Sequence, residues 1–439
     1  MSHTAVILAA GFGTRMKSTL PKTLHKIAGR SMLRHLLASC EQVFDRTVVV
    51  IGPDMEAVRG EAAPHVCVVQ QERLGTAHAA LMAAPEFGDG EVAVLYADNP
   101  LIQPDTLRRL LDRRADGDAG LALLAFRPND PSRYGRVMVS GGYVQRVVEW
   151  IDADDRERAE TLCNAGVLCA ASGDMMRWLK AVRADNAKGE YYLTDVVGLA
   201  RSEGERVVAV EAPAEELSGI NSRAELAAAE AVVQSRLRAA AMDAGVTMTD
   251  PGSVFLCADT ELASDVTIEP NVMFGPGVKV ATGALIRAFS HLEGCVVGPD
   301  CIVGPLARLR PGAELGEAVH IGNFVEVKAA KIGARTKASH LTYLGDADIG
   351  SETNIGAGTI TCNYDGYNKH RTRIGSRAFI GSDTALVAPV TVGDGAIIAA
   401  GSVITEDVPA DALALARGRQ ENKPGRAVTM RKKLQVKRR

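Results

Sequence analysis

The first stretch with chemical potential is a glycine-rich turn that follows an apolar run. Ala5–Ile7 is apolar, and LAAGFGTRM at Leu8–Met16 continues directly from it. Gly11 and Gly13 match the first two glycines of the dinucleotide fingerprint G-x-G-x-x-G, but Met16 stands where the third is required. No Walker sequence is present either, because no Gly-Lys-Ser/Thr follows. The turn is therefore either an ordinary tight turn or a phosphate-binding loop.

Two cations and one acid are placed to complete a triphosphate site around this turn. Arg15 lies on the turn and Lys22 follows it, and two cations near a glycine turn suit a triphosphate that loses pyrophosphate. Asp98 follows an apolar run within YADNPL. Alone, an acid there is typical of a turn or cap. Beside a triphosphate it becomes a candidate Mg²⁺ ligand, because a hard cation bridging phosphates prefers oxygen donors.

The elements that position these residues alternate between strand and helix patterns. The predicted strands are Ala5–Ala9, Thr47–Ile51, Cys67–Val69, Val92–Tyr96 and Gly120–Phe126, and the predicted helices between them are Met32–Val43, Thr76–Ala84 and Pro104–Arg114. This alternation predicts an α/β, Rossmann-like domain with a largely parallel sheet. Ligands bind at the carboxyl ends of such strands, where both Gly11–Arg15 and Tyr96–Pro100 would lie.

A long helix is predicted to end this half of the chain. Ser222 and Glu225 form a capping box, and alanine-rich sequence then continues to Gly245. We predict one linker helix, Ser222–Ala244, at the domain boundary. The expected division is therefore a first domain of residues 1–221, a helix of residues 222–244 and a second domain of residues 245–439.

The second domain shows a repeat with a period of six residues. Small or aliphatic residues recur at Val266, Val272, Val278, Val297, Val303, Leu309, Leu315, Ile321, Val327, Ile332, Ala338, Leu344, Ile349, Ile355, Thr361, Ile374, Ile380, Leu386, Val392, Ile398 and Ile404. One hexad forms a short strand and a turn, and three hexads close a triangular coil whose inward residues stack. The sequence therefore predicts a parallel β-helix of hexapeptide repeats. Such prisms commonly associate along flat faces, so we expect a homo-oligomer, with a trimer favoured.

One segment interrupts the hexads. CNYDGYNKHRTR (Cys362–Arg373) is inserted between two repeats and is predicted to leave the coil as a loop. Loops on regular scaffolds often carry binding groups, and this one offers Asn363, Tyr364 and Lys369.

A second group of chemically capable residues lies in neighbouring hexads. A lone His on a repeat surface is usually inert, but His340 has Lys328 and Tyr343 nearby in the repeat pattern. Glu326 precedes His340 by 14 residues, about one coil, and is expected to orient its ring. Arg310 and Lys328 supply charge for a phosphate. A base beside an anion site suits acetylation of an amino-sugar phosphate, because the ammonium must lose a proton before its nitrogen attacks a thioester.

Composition narrows the class of protein. A length of 439 residues exceeds one ordinary core, and 4% aromatics with 43 Gly favour a regular array over two compact globular domains. The net charge of −3 argues against nucleic acid as a partner. No signal peptide precedes the first strand, and no apolar run reaches the roughly 18 residues that span a bilayer. We therefore expect a cytoplasmic protein without a membrane partner.

The cysteines and the C-terminal tail carry no strong functional signal. The 8 Cys form no C-x-x-C pair and no zinc spacing, which favours small buried residues in a reducing compartment. The tail from Lys423 contains no acid, and its basic residues are Lys423, Arg426, Arg431, Lys432, Lys433, Lys437, Arg438 and Arg439. We favour a solvated or ligand-adjacent segment over a nucleic-acid-binding arm.

Several motifs resemble one enzyme family. They are LAAGFGTRMKSTLPKTLHKIAG (Leu8–Gly29), QERLGTAHAA (Gln71–Ala80), YADNPL, RYGRV (Arg133–Val137), VVE (Val147–Glu149), CNAG (Cys163–Gly166), EYYLTD (Glu190–Asp195) and GIN (Gly219–Asn221). These resemble the sugar-1-phosphate nucleotidyltransferases. With the hexapeptide half, nearly the whole chain resembles the bacterial bifunctional N-acetylglucosamine-1-phosphate uridylyltransferase/glucosamine-1-phosphate N-acetyltransferase family. The resemblance implies a left-handed β-helix and synthesis of UDP-N-acetylglucosamine for cell-wall and envelope precursors.

The resemblance implies roles for residues of the first domain. The backbone of Leu8, Ala9, Ala10 and Gly11, with Gln70, Gly75 and Thr76, would hold the uridine. Arg15 and Lys22 would hold the phosphates, and Asp98 and Asn221 would hold Mg²⁺ with Tyr96 beside it. Gly135, Glu149 and Asn164 would contact the acetylated sugar. No protein nucleophile is needed, because the sugar phosphate attacks the α-phosphorus of UTP and pyrophosphate leaves.

The resemblance likewise implies roles in the repeat domain. His340 would be the base with Glu326 behind it. The expected contacts of glucosamine-1-phosphate are Arg310, Lys328, Tyr343, Asn354 and Lys369, and those of acetyl-CoA are Ala357, Asn363, Tyr364, Ser382, Ala400 and Arg417.

The sequence departs from the family's pattern at three places, and two other functions stay open. Ala97 and Asn99 flank the metal-binding Asp98 with unusual residues, and Trp150–Ile151 follows Glu149 in place of a more polar stretch. One alternative is a nucleotidyltransferase with only one activity and a structural β-helix, to which the His340 cluster would be superfluous. The other is a regulatory assembly protein without catalysis, against which the intact charged residues argue.

Overall fold

The computed structural model describes residues 2–11, 13–131 and 133–436. The chain divides into two compact units, one ending at Leu237 and one beginning at Arg238. The division falls within a long helix rather than at either of its ends.

The first unit contains a mixed sheet between helices. Its strands are β1 (His3–Leu8), β2 (Lys26–Ile27), β3 (Arg30–Ser31), β4 (Arg46–Ile51), β5 (Val66–Val69), β6 (Glu91–Tyr96), β7 (Leu121–Phe126), β8 (Arg136–Ser140), β9 (Tyr143–Val148), β10 (Cys163–Ala171) and β11 (Val207–Glu211). The main sheet has the order β11-β7-β10-β6-β1-β4-β5, and β8 and β9 extend it from β10. All pairings along this order are parallel except those of β10 with β6 and β7. Every residue of β7 is buried, as expected for a strand covered on both faces.

Helices pack on both faces of this sheet. They are α1 (Met32–Cys40), α2 (Glu56–Ala62), α3 (Thr76–Met82), α4 (Pro104–Ala115), α5 (Asp155–Arg158), α6 (Ser172–Ala181), α7 (Asp195–Ser202) and α8 (Ala214–Leu217), and the long helix α9 (Arg223–Asp243) follows them in the chain. Alternate residues of β1 enter opposite cores: Ile7 packs with the α1 side, whereas Val6 packs with the α3 side. The carboxyl ends of β1 and β6 are adjacent, since Leu8 pairs with Tyr96. The expected α/β, Rossmann-like domain is confirmed.

The predicted helix at the end of the first half is present with its capping box. Ser222 N–H donates to Glu225 Oε2 at 2.8 Å, and Glu225 N–H donates to Ser222 Oγ at 3.2 Å. The C-terminal end is closed by the Val246 N–H, which donates to Ala241 O at 3.0 Å. Gly245 adopts φ +95°, a conformation that favours glycine at this position.

The second unit is built from short parallel strands. Its first strands are β12 (Thr247–Met248), β13 (Glu261–Leu262), β14 (Thr267–Ile268), β15 (Met273–Phe274), β16 (Lys279–Val280), β17 (Leu285–Ile286), β18 (His291–Leu292), β19 (Val296–Val297), β20 (Ile302–Val303), β21 (Arg308–Leu309), β22 (Glu314–Leu315) and β23 (His320–Lys328). The strands that follow are β24 (Lys331–Ile332), β25 (Lys337–Gly345), β26 (Ala347–Ile349), β27 (Asn354–Ile355), β28 (Ile360–Cys362), β29 (Thr372–Ile374), β30 (Phe379–Ile380), β31 (Ala385–Val387), β32 (Val390–Val392), β33 (Ile397–Ile398), β34 (Val403–Ile404) and β35 (Leu413–Ala414).

These strands form three parallel ladders, as the hexads predict. One ladder passes through β13, β16 and β19, and the other two join at β23 and β25, which run through a corner of the coil. Each strand residue pairs with the residue at the equivalent position of the next coil: Thr267 pairs with Leu285, and Leu285 pairs with Ile302. All of the predicted hexad residues are buried. Stacked aliphatic side chains therefore form this core with few aromatics.

The interruption of the hexads is shorter than predicted. Cys362 remains in β28, and Thr372 and Arg373 remain in β29, with Thr372 fully buried. Only residues 363–371 leave the coil, because the ladder pairing resumes at Thr372 beside Ala347. The predicted loop bounds, Cys362–Arg373, were therefore too wide at both ends.

The remaining sequence features give little structural signal. Eight free cysteines are present, five of them buried. Helix α10 (Arg426–Val436) carries much of the basic tail and is exposed, whereas Lys437, Arg438 and Arg439 lie outside the described residues. Among the described helices, none has both the length and the apolar character needed to cross a bilayer.

Candidate active sites

The glycine-rich turn closes over Lys22. Gly13 adopts φ +67°, and a Cβ at this position would lie 2.5 Å from Lys22 Cβ. A side chain there would be strained by the backbone and would displace the lysine. The second glycine of the motif is therefore required by this contact with Lys22.

Four polar side chains converge where β1 and β6 end. Lys22 Nζ lies 2.5 Å from Asp98 Oδ2 and 2.8 Å from Asn221 Oδ1. Arg15 Nη2 also donates to Asn221 Oδ1, at 2.8 Å. The Lys22 ammonium thus occupies a point that faces a carboxylate oxygen and an amide oxygen. The structure brings these four predicted residues together from positions far apart in the chain.

The two oxygens fit a small hard cation. Carboxylate and amide oxygens are ligands of Mg²⁺, which usually keeps water and phosphate oxygens as its other ligands. No group of three or more His, Cys, Asp or Glu side chains able to hold a metal occurs in the described part of the chain. Asp98 and Asn221 alone therefore suit a metal completed by substrate phosphates rather than a fully protein-bound one.

The entry to helix α9 fixes Asn221 near the turn. Arg223 Nε donates to Met16 O at 3.3 Å, and its Nη1 lies 3.2 Å from His25 Nδ1. Burial of the His25 ring, with the nearby Arg223 charge, lowers the pKa of His25 and favours its neutral form. These contacts of Arg223 with Met16 and His25 were not predicted from the sequence, because no motif marks them.

A cavity of about 310 Å³ lies beside this convergence. Its walls contain Leu8, Ala9, Ala10, Gly11, Lys22, Thr23, Gln70, Arg73, Gly75, Thr76, Ala79, Tyr96, Ala97, Asp98 and Glu190. Every residue that the resemblance assigned to uridine lines this cavity. Arg73 and Glu190 were missed, although both lie within quoted motifs. Arg73 Nε donates to Ala10 O at 2.8 Å and so holds the turn in place.

Gly75 shapes the wall of this cavity. Its φ is +129°, and a Cβ would lie 2.4 Å from Tyr191 O. Only glycine permits this close approach of two backbone segments. It also presents the Gly75 carbonyl to the buried Gln70 amide, at 3.1 Å from Nε2.

The residues predicted to contact the sugar form a second group. Asn164 N–H donates to Gly135 O at 2.9 Å, and Thr194 Oγ1 donates to Glu149 Oε1 at 3.3 Å. A Cβ on Gly135 would lie 3.5 Å from the Glu149 carboxylate, so the two positions face each other. Burial raises the pKa of Glu149, and burial also raises the pKa of Tyr96, whose hydroxyl is influenced by both Glu149 and Asp98.

The three departures from the family's pattern have structural partners. Asn99 is buried, and its Nδ2 donates to Leu217 O at 2.7 Å. Ala97 is buried, and its N–H donates to Leu8 O at 3.1 Å, which ties the ends of β6 and β1 together. Two guanidinium groups lie over the Trp150 ring, with Arg136 Cζ at 4.9 Å and Arg158 Cζ at 5.0 Å from its centroid.

A second cavity, of about 640 Å³, adjoins Arg15 and Asn221 from another side. Tyr134, Arg133 and Gly219 also line it, together with residues of helix α9. Arg133 and Tyr134 lie in the RYGRV motif and Gly219 lies in the GIN motif, but no role was predicted for these three residues.

In the repeat unit, the predicted phosphate contacts cluster around one corner of the coils. Arg310 Nη1 lies 2.7 Å from Glu326 Oε1, and Lys328 Nζ lies 3.8 Å from Asp346 Oδ2. The neighbouring Lys328 ammonium lowers the pKa of the exposed Lys369. The corner therefore contains two ion pairs and also two like-charged side chains, Lys328 and Lys369. A bound anion would relieve the repulsion between these two lysines.

The residue that contacts the His340 ring is Asn323. His340 Nδ1 lies 2.6 Å from Asn323 Oδ1, and these two residues pair directly across β23 and β25. With the amide oxygen facing the ring, Nδ1 carries the proton and Nε2 keeps its lone pair. His340 is exposed, so that Nε2 is open to a ligand.

The expectation that Glu326 orients His340 is wrong. Glu326 pairs with Tyr343 across the ladder, and its carboxylate is bound by Arg310. Residues that pair in neighbouring coils here, such as Asn323 and His340, are 17 residues apart, whereas Glu326 and His340 are only 14 residues apart. Counting a full coil back from His340 would have identified Asn323.

Asn354 lies away from the other predicted sugar-phosphate contacts within the chain. It pairs with Lys337 and with Phe379. Lys337 lies one hexad before Tyr343 in β25, so Asn354 lies on a different ladder from the Glu326–Tyr343 pair. One chain therefore brings Arg310, Lys328, Tyr343 and Lys369 together, but not Asn354.

The residues predicted to contact acetyl-CoA follow one corner of the last coils. The Asp383 N–H donates to Ala357 O at 2.7 Å, and the Gly401 N–H donates to Ser382 O at 2.8 Å. Arg417 Nη1 donates to Ala400 O, also at 2.7 Å. Ala357, Ser382, Ala400 and Arg417 thus recur at one position of consecutive coils, which gives a column of small residues ending in a cation.

The loop of residues 363–371 forms a small hairpin beside the corner cluster. Tyr364 and Lys369 pair in antiparallel fashion, and Asp365 accepts the N–H groups of Tyr367 at 2.8 Å and Asn368 at 2.7 Å. These bonds, with the His370 ring, hold the pKa of Asp365 well below its usual range. Asn363 is buried, and its Nδ2 donates to Asp346 and faces the Tyr343 hydroxyl at 3.4 Å.

Comparison with known proteins agrees with this two-part arrangement. The model of the MobA-like NTP transferase domain matches residues 5–190, and that of the bacterial transferase hexapeptide (six repeats) matches residues 294–329 and 371–406. The bifunctional protein GlmU of Granulibacter bethesdensis is 64% identical over 437 residues, covering 99% of this chain and 97% of the relative. That of Acidiphilium cryptum is 64% identical over 431 residues, covering 98% and 99%.

A solved structure gives a weaker likeness. A UDP-glucose pyrophosphorylase complexed with UDP-glucose is 16% identical with a TM-score of 0.45, covering 54% of this chain and 100% of its own. The matches to the two GlmU proteins, in contrast, cover both units at 64% identity. They show that the chain belongs to the GlmU family of bifunctional transferase enzymes.

Proposed function

We propose that the repeat unit acetylates glucosamine-1-phosphate with acetyl-CoA, and that the first unit then transfers UMP from UTP to N-acetylglucosamine-1-phosphate. The functional regions are residues 1–221, the linker helix 222–244, and residues 245–439. The observation that carries the proposal is the convergence of Lys22, Asp98 and Asn221 beside the 310 Å³ cavity, which Lys22 and Asp98 line. Family membership supports both activities.

In the uridylyltransferase site, charge is held ready for a triphosphate. Asp98 and Asn221 would hold Mg²⁺, which neutralises charge on the phosphates when bound. The Lys22 ammonium then exchanges its two oxygen partners for phosphate oxygens. Arg15 binds phosphate in the same way. These residues stabilise the negative charge that accumulates as pyrophosphate leaves, and neither forms a covalent bond.

The rest of this site orients the two substrates. The backbone of Leu8–Gly11, with Gln70, Gly75 and Thr76, holds the uridine in the cavity. Gly135, Glu149 and Asn164 hold the acetylated sugar, with Tyr96 and Ala97 closing the wall between base and sugar. In-line attack by the sugar phosphate needs this positioning more than any further chemical group.

In the acetyltransferase site, His340 removes the proton. Its Nε2 accepts a proton from the sugar ammonium, and the free amine attacks the thioester carbonyl of acetyl-CoA. The amide C–N bond forms as the thioester C–S bond breaks, and CoA leaves as the thiol with the second proton that the amine gives up. Asn323 holds the ring in the competent tautomer by accepting the Nδ1 proton. Glu326 acts through Arg310, which it holds at 2.7 Å. Arg310, Lys328, Tyr343 and Lys369 bind the sugar phosphate, and Asn354 is assigned to the same ligand.

Acetyl-CoA is assigned to the column at the corner of the last coils. Ala357, Ser382 and Ala400 offer little side-chain bulk, so that a long ligand can lie along them, and Arg417 supplies charge for its phosphates. Asn363 and Tyr364 contribute from the adjoining hairpin. UTP and acetyl-CoA are metabolites of the cytoplasm, which is the location that we assign to the enzyme.

We assign a homotrimer to the repeat unit. Phe289, Leu306, Phe324 and Leu341 recur at one coil's spacing, each with positive φ and each between 42% and 62% exposed. Such a column of exposed apolar side chains along one corner of the coils suits burial against further copies. Light scattering of the purified chain should give three times the 46.4 kDa mass of one chain. A monomeric mass would contradict the assignment.

Two assays with two variants test the proposed function. Release of CoA from acetyl-CoA and glucosamine-1-phosphate should be lost in His340→Ala and retained in Asp98→Ala. Release of pyrophosphate from UTP and N-acetylglucosamine-1-phosphate should show the reverse. An enzyme with one activity would lack CoA release in the wild type, and a regulatory protein would lack both. Loss of both activities in either variant would contradict separate sites.

A further inference from the structure

A buried amide in the nucleotide cavity has a fixed orientation. Gln70 directly follows β5 and is only 3% exposed. Its Nε2 lies 3.1 Å from Gly75 O and 3.0 Å from His78 Nδ1. A backbone carbonyl can only accept a hydrogen bond, so the group facing it must be the NH₂ of the amide. His78 Nδ1 therefore accepts from the same nitrogen and carries no proton.

The orientation leaves the oxygen of Gln70 available to a ligand. Among the described residues, none donates a hydrogen bond to Gln70 Oε1. The Gln70 side chain lines the 310 Å³ cavity, into which a ligand can bind. The amide therefore offers an acceptor, and only an acceptor, because both of its donor hydrogens are used by Gly75 and His78.

An acceptor at this position distinguishes pyrimidine bases. Uracil carries a hydrogen on N3, whereas N3 of cytosine bears a lone pair. An amide oxygen that receives the uracil N3–H would face the cytosine N3 lone pair and repel it. Binding cytosine in the same pose would require the amide to turn over. That rotation would set Oε1 against Gly75 O, which is repulsive, and against His78 Nδ1, where the hydrogen bond is lost unless the imidazole also changes its tautomer.

We propose that His78 is a specificity-determining residue that makes the first unit select uracil over cytosine nucleotides. It does so by locking the Gln70 amide, without touching the substrate itself. This inference rests on the proposed uridylyltransferase function. His78 is held for the task on helix α3, with its ring 6.4 Å from that of Tyr191. The Tyr191 backbone is in turn tied to this helix by the Ala77 N–H, which donates to Tyr191 O at 2.9 Å.

The size of the effect follows from the two locking contacts. Replacement of His78 by Ala removes one of them and leaves the Gly75 carbonyl. A turned-over amide then meets only the Gly75 carbonyl and no longer requires a change of the His78 tautomer. The preference for UTP over CTP in kcat/KM should fall about five- to tenfold, which corresponds to the loss of one buried hydrogen bond.

The test compares three nucleotides in the full-length enzyme. Pyrophosphate release with N-acetylglucosamine-1-phosphate is measured for UTP, CTP and dTTP. Thymine presents the same N3–H as uracil, so His78→Ala should lower the UTP-to-CTP ratio and leave the UTP-to-dTTP ratio unchanged. His78→Asn places an amide oxygen near the position of Nδ1 and should restore the preference for UTP. General damage to the site would lower all three rates together and leave both ratios unchanged.

The outcomes separate this inference from the function on which it rests. If the wild type releases no pyrophosphate from UTP, the proposed function fails. If the wild type is active and His78→Ala keeps the full UTP-to-CTP ratio, the inference alone is overturned. Should the Ala variant not fold, as judged by circular dichroism and urea unfolding, His78→Leu carries the same expectation. Leucine fills the space without offering an acceptor.

Discussion

Asn323→Ala removes the hydrogen-bond partner of the proposed base without touching either substrate-binding cluster. Asn323 Oδ1 lies 2.6 Å from His340 Nδ1, and among the described residues no other group forms a hydrogen bond with that ring. A net hydrogen bond contributes about 1 kcal/mol, which corresponds to about fivefold in rate. We therefore expect kcat for acetyl transfer to fall about fivefold. His340→Ala, which removes the base itself, should cost about 10²- to 10⁴-fold.

The assay is the release of free CoA thiol with glucosamine-1-phosphate, measured across pH. Asn323→Asp is the matched variant, because a carboxylate beside the ring favours the imidazolium and should move the pH optimum upwards. Uridylyltransferase activity serves as the control and should stay unchanged in both variants. The reasoning is refuted if Asn323→Ala acetylates at the wild-type rate while Glu326→Gln is as inactive as His340→Ala.

Three further expectations follow from the first unit. Gly13→Ala places a Cβ 2.5 Å from Lys22 Cβ on a backbone with φ +67°. The free energy of unfolding in urea should therefore fall by about 1–2 kcal/mol, and pyrophosphate release should also fall. An unchanged urea midpoint would contradict the close contact. Chelation by EDTA should abolish pyrophosphate release and spare CoA release, and added Mg²⁺ should restore it; chelator-resistant activity would exclude the metal. Because burial raises the pKa of Glu149 above its unfolded value, this carboxyl lowers stability as pH rises through its folded pKa, and the penalty is absent below the unfolded pKa of about 4.3. Glu149→Gln should therefore be more stable than the wild type at pH 7 and equal to it at acid pH in urea unfolding, and equal stability at both would contradict the buried charge.

Periodicity predicted most of the elements and missed mainly their ends. The apolar runs at Ala5–Ala9 and Gly120–Phe126 correspond to β1 (His3–Leu8) and β7 (Leu121–Phe126). The helix predicted as Met32–Val43 ends at Cys40, because the chain turns at Glu41 while its apolar pattern continues. An apolar pattern shows which residues are buried, and here buried residues continue beyond the last turn of helix α1.

The hairpin of β8 and β9 was not predicted. It turns at Gly141 and Gly142, both with positive φ, but its flanking strands alternate weakly because they are only partly buried. Alternation is a reliable signal only where one face of a strand is covered. Functional residues on partly exposed strands are hard to predict from alternation for the same reason.

The site could be predicted where a residue type itself carries the chemistry. Lys22, Asp98 and His340 are recognisable because a cation, a carboxylate and an imidazole have distinct uses. His78 and Asn323 were missed because each acts through another side chain, and only the coordinates show that contact. The error over Glu326 has a similar cause: hexads give the inward positions, but the offset between coils decides which outward residues meet.

A mixing experiment tests the claim of two separate sites in one chain most directly. His340→Ala and Asp98→Ala are each supplied with glucosamine-1-phosphate, acetyl-CoA, UTP and Mg²⁺, and UDP-N-acetylglucosamine is quantified. Neither variant alone should form it, whereas an equal mixture should, because the acetylated sugar phosphate made by Asp98→Ala can diffuse to the intact uridylyl site of His340→Ala. A mixture that forms no product, although each variant keeps its single activity, would contradict the account.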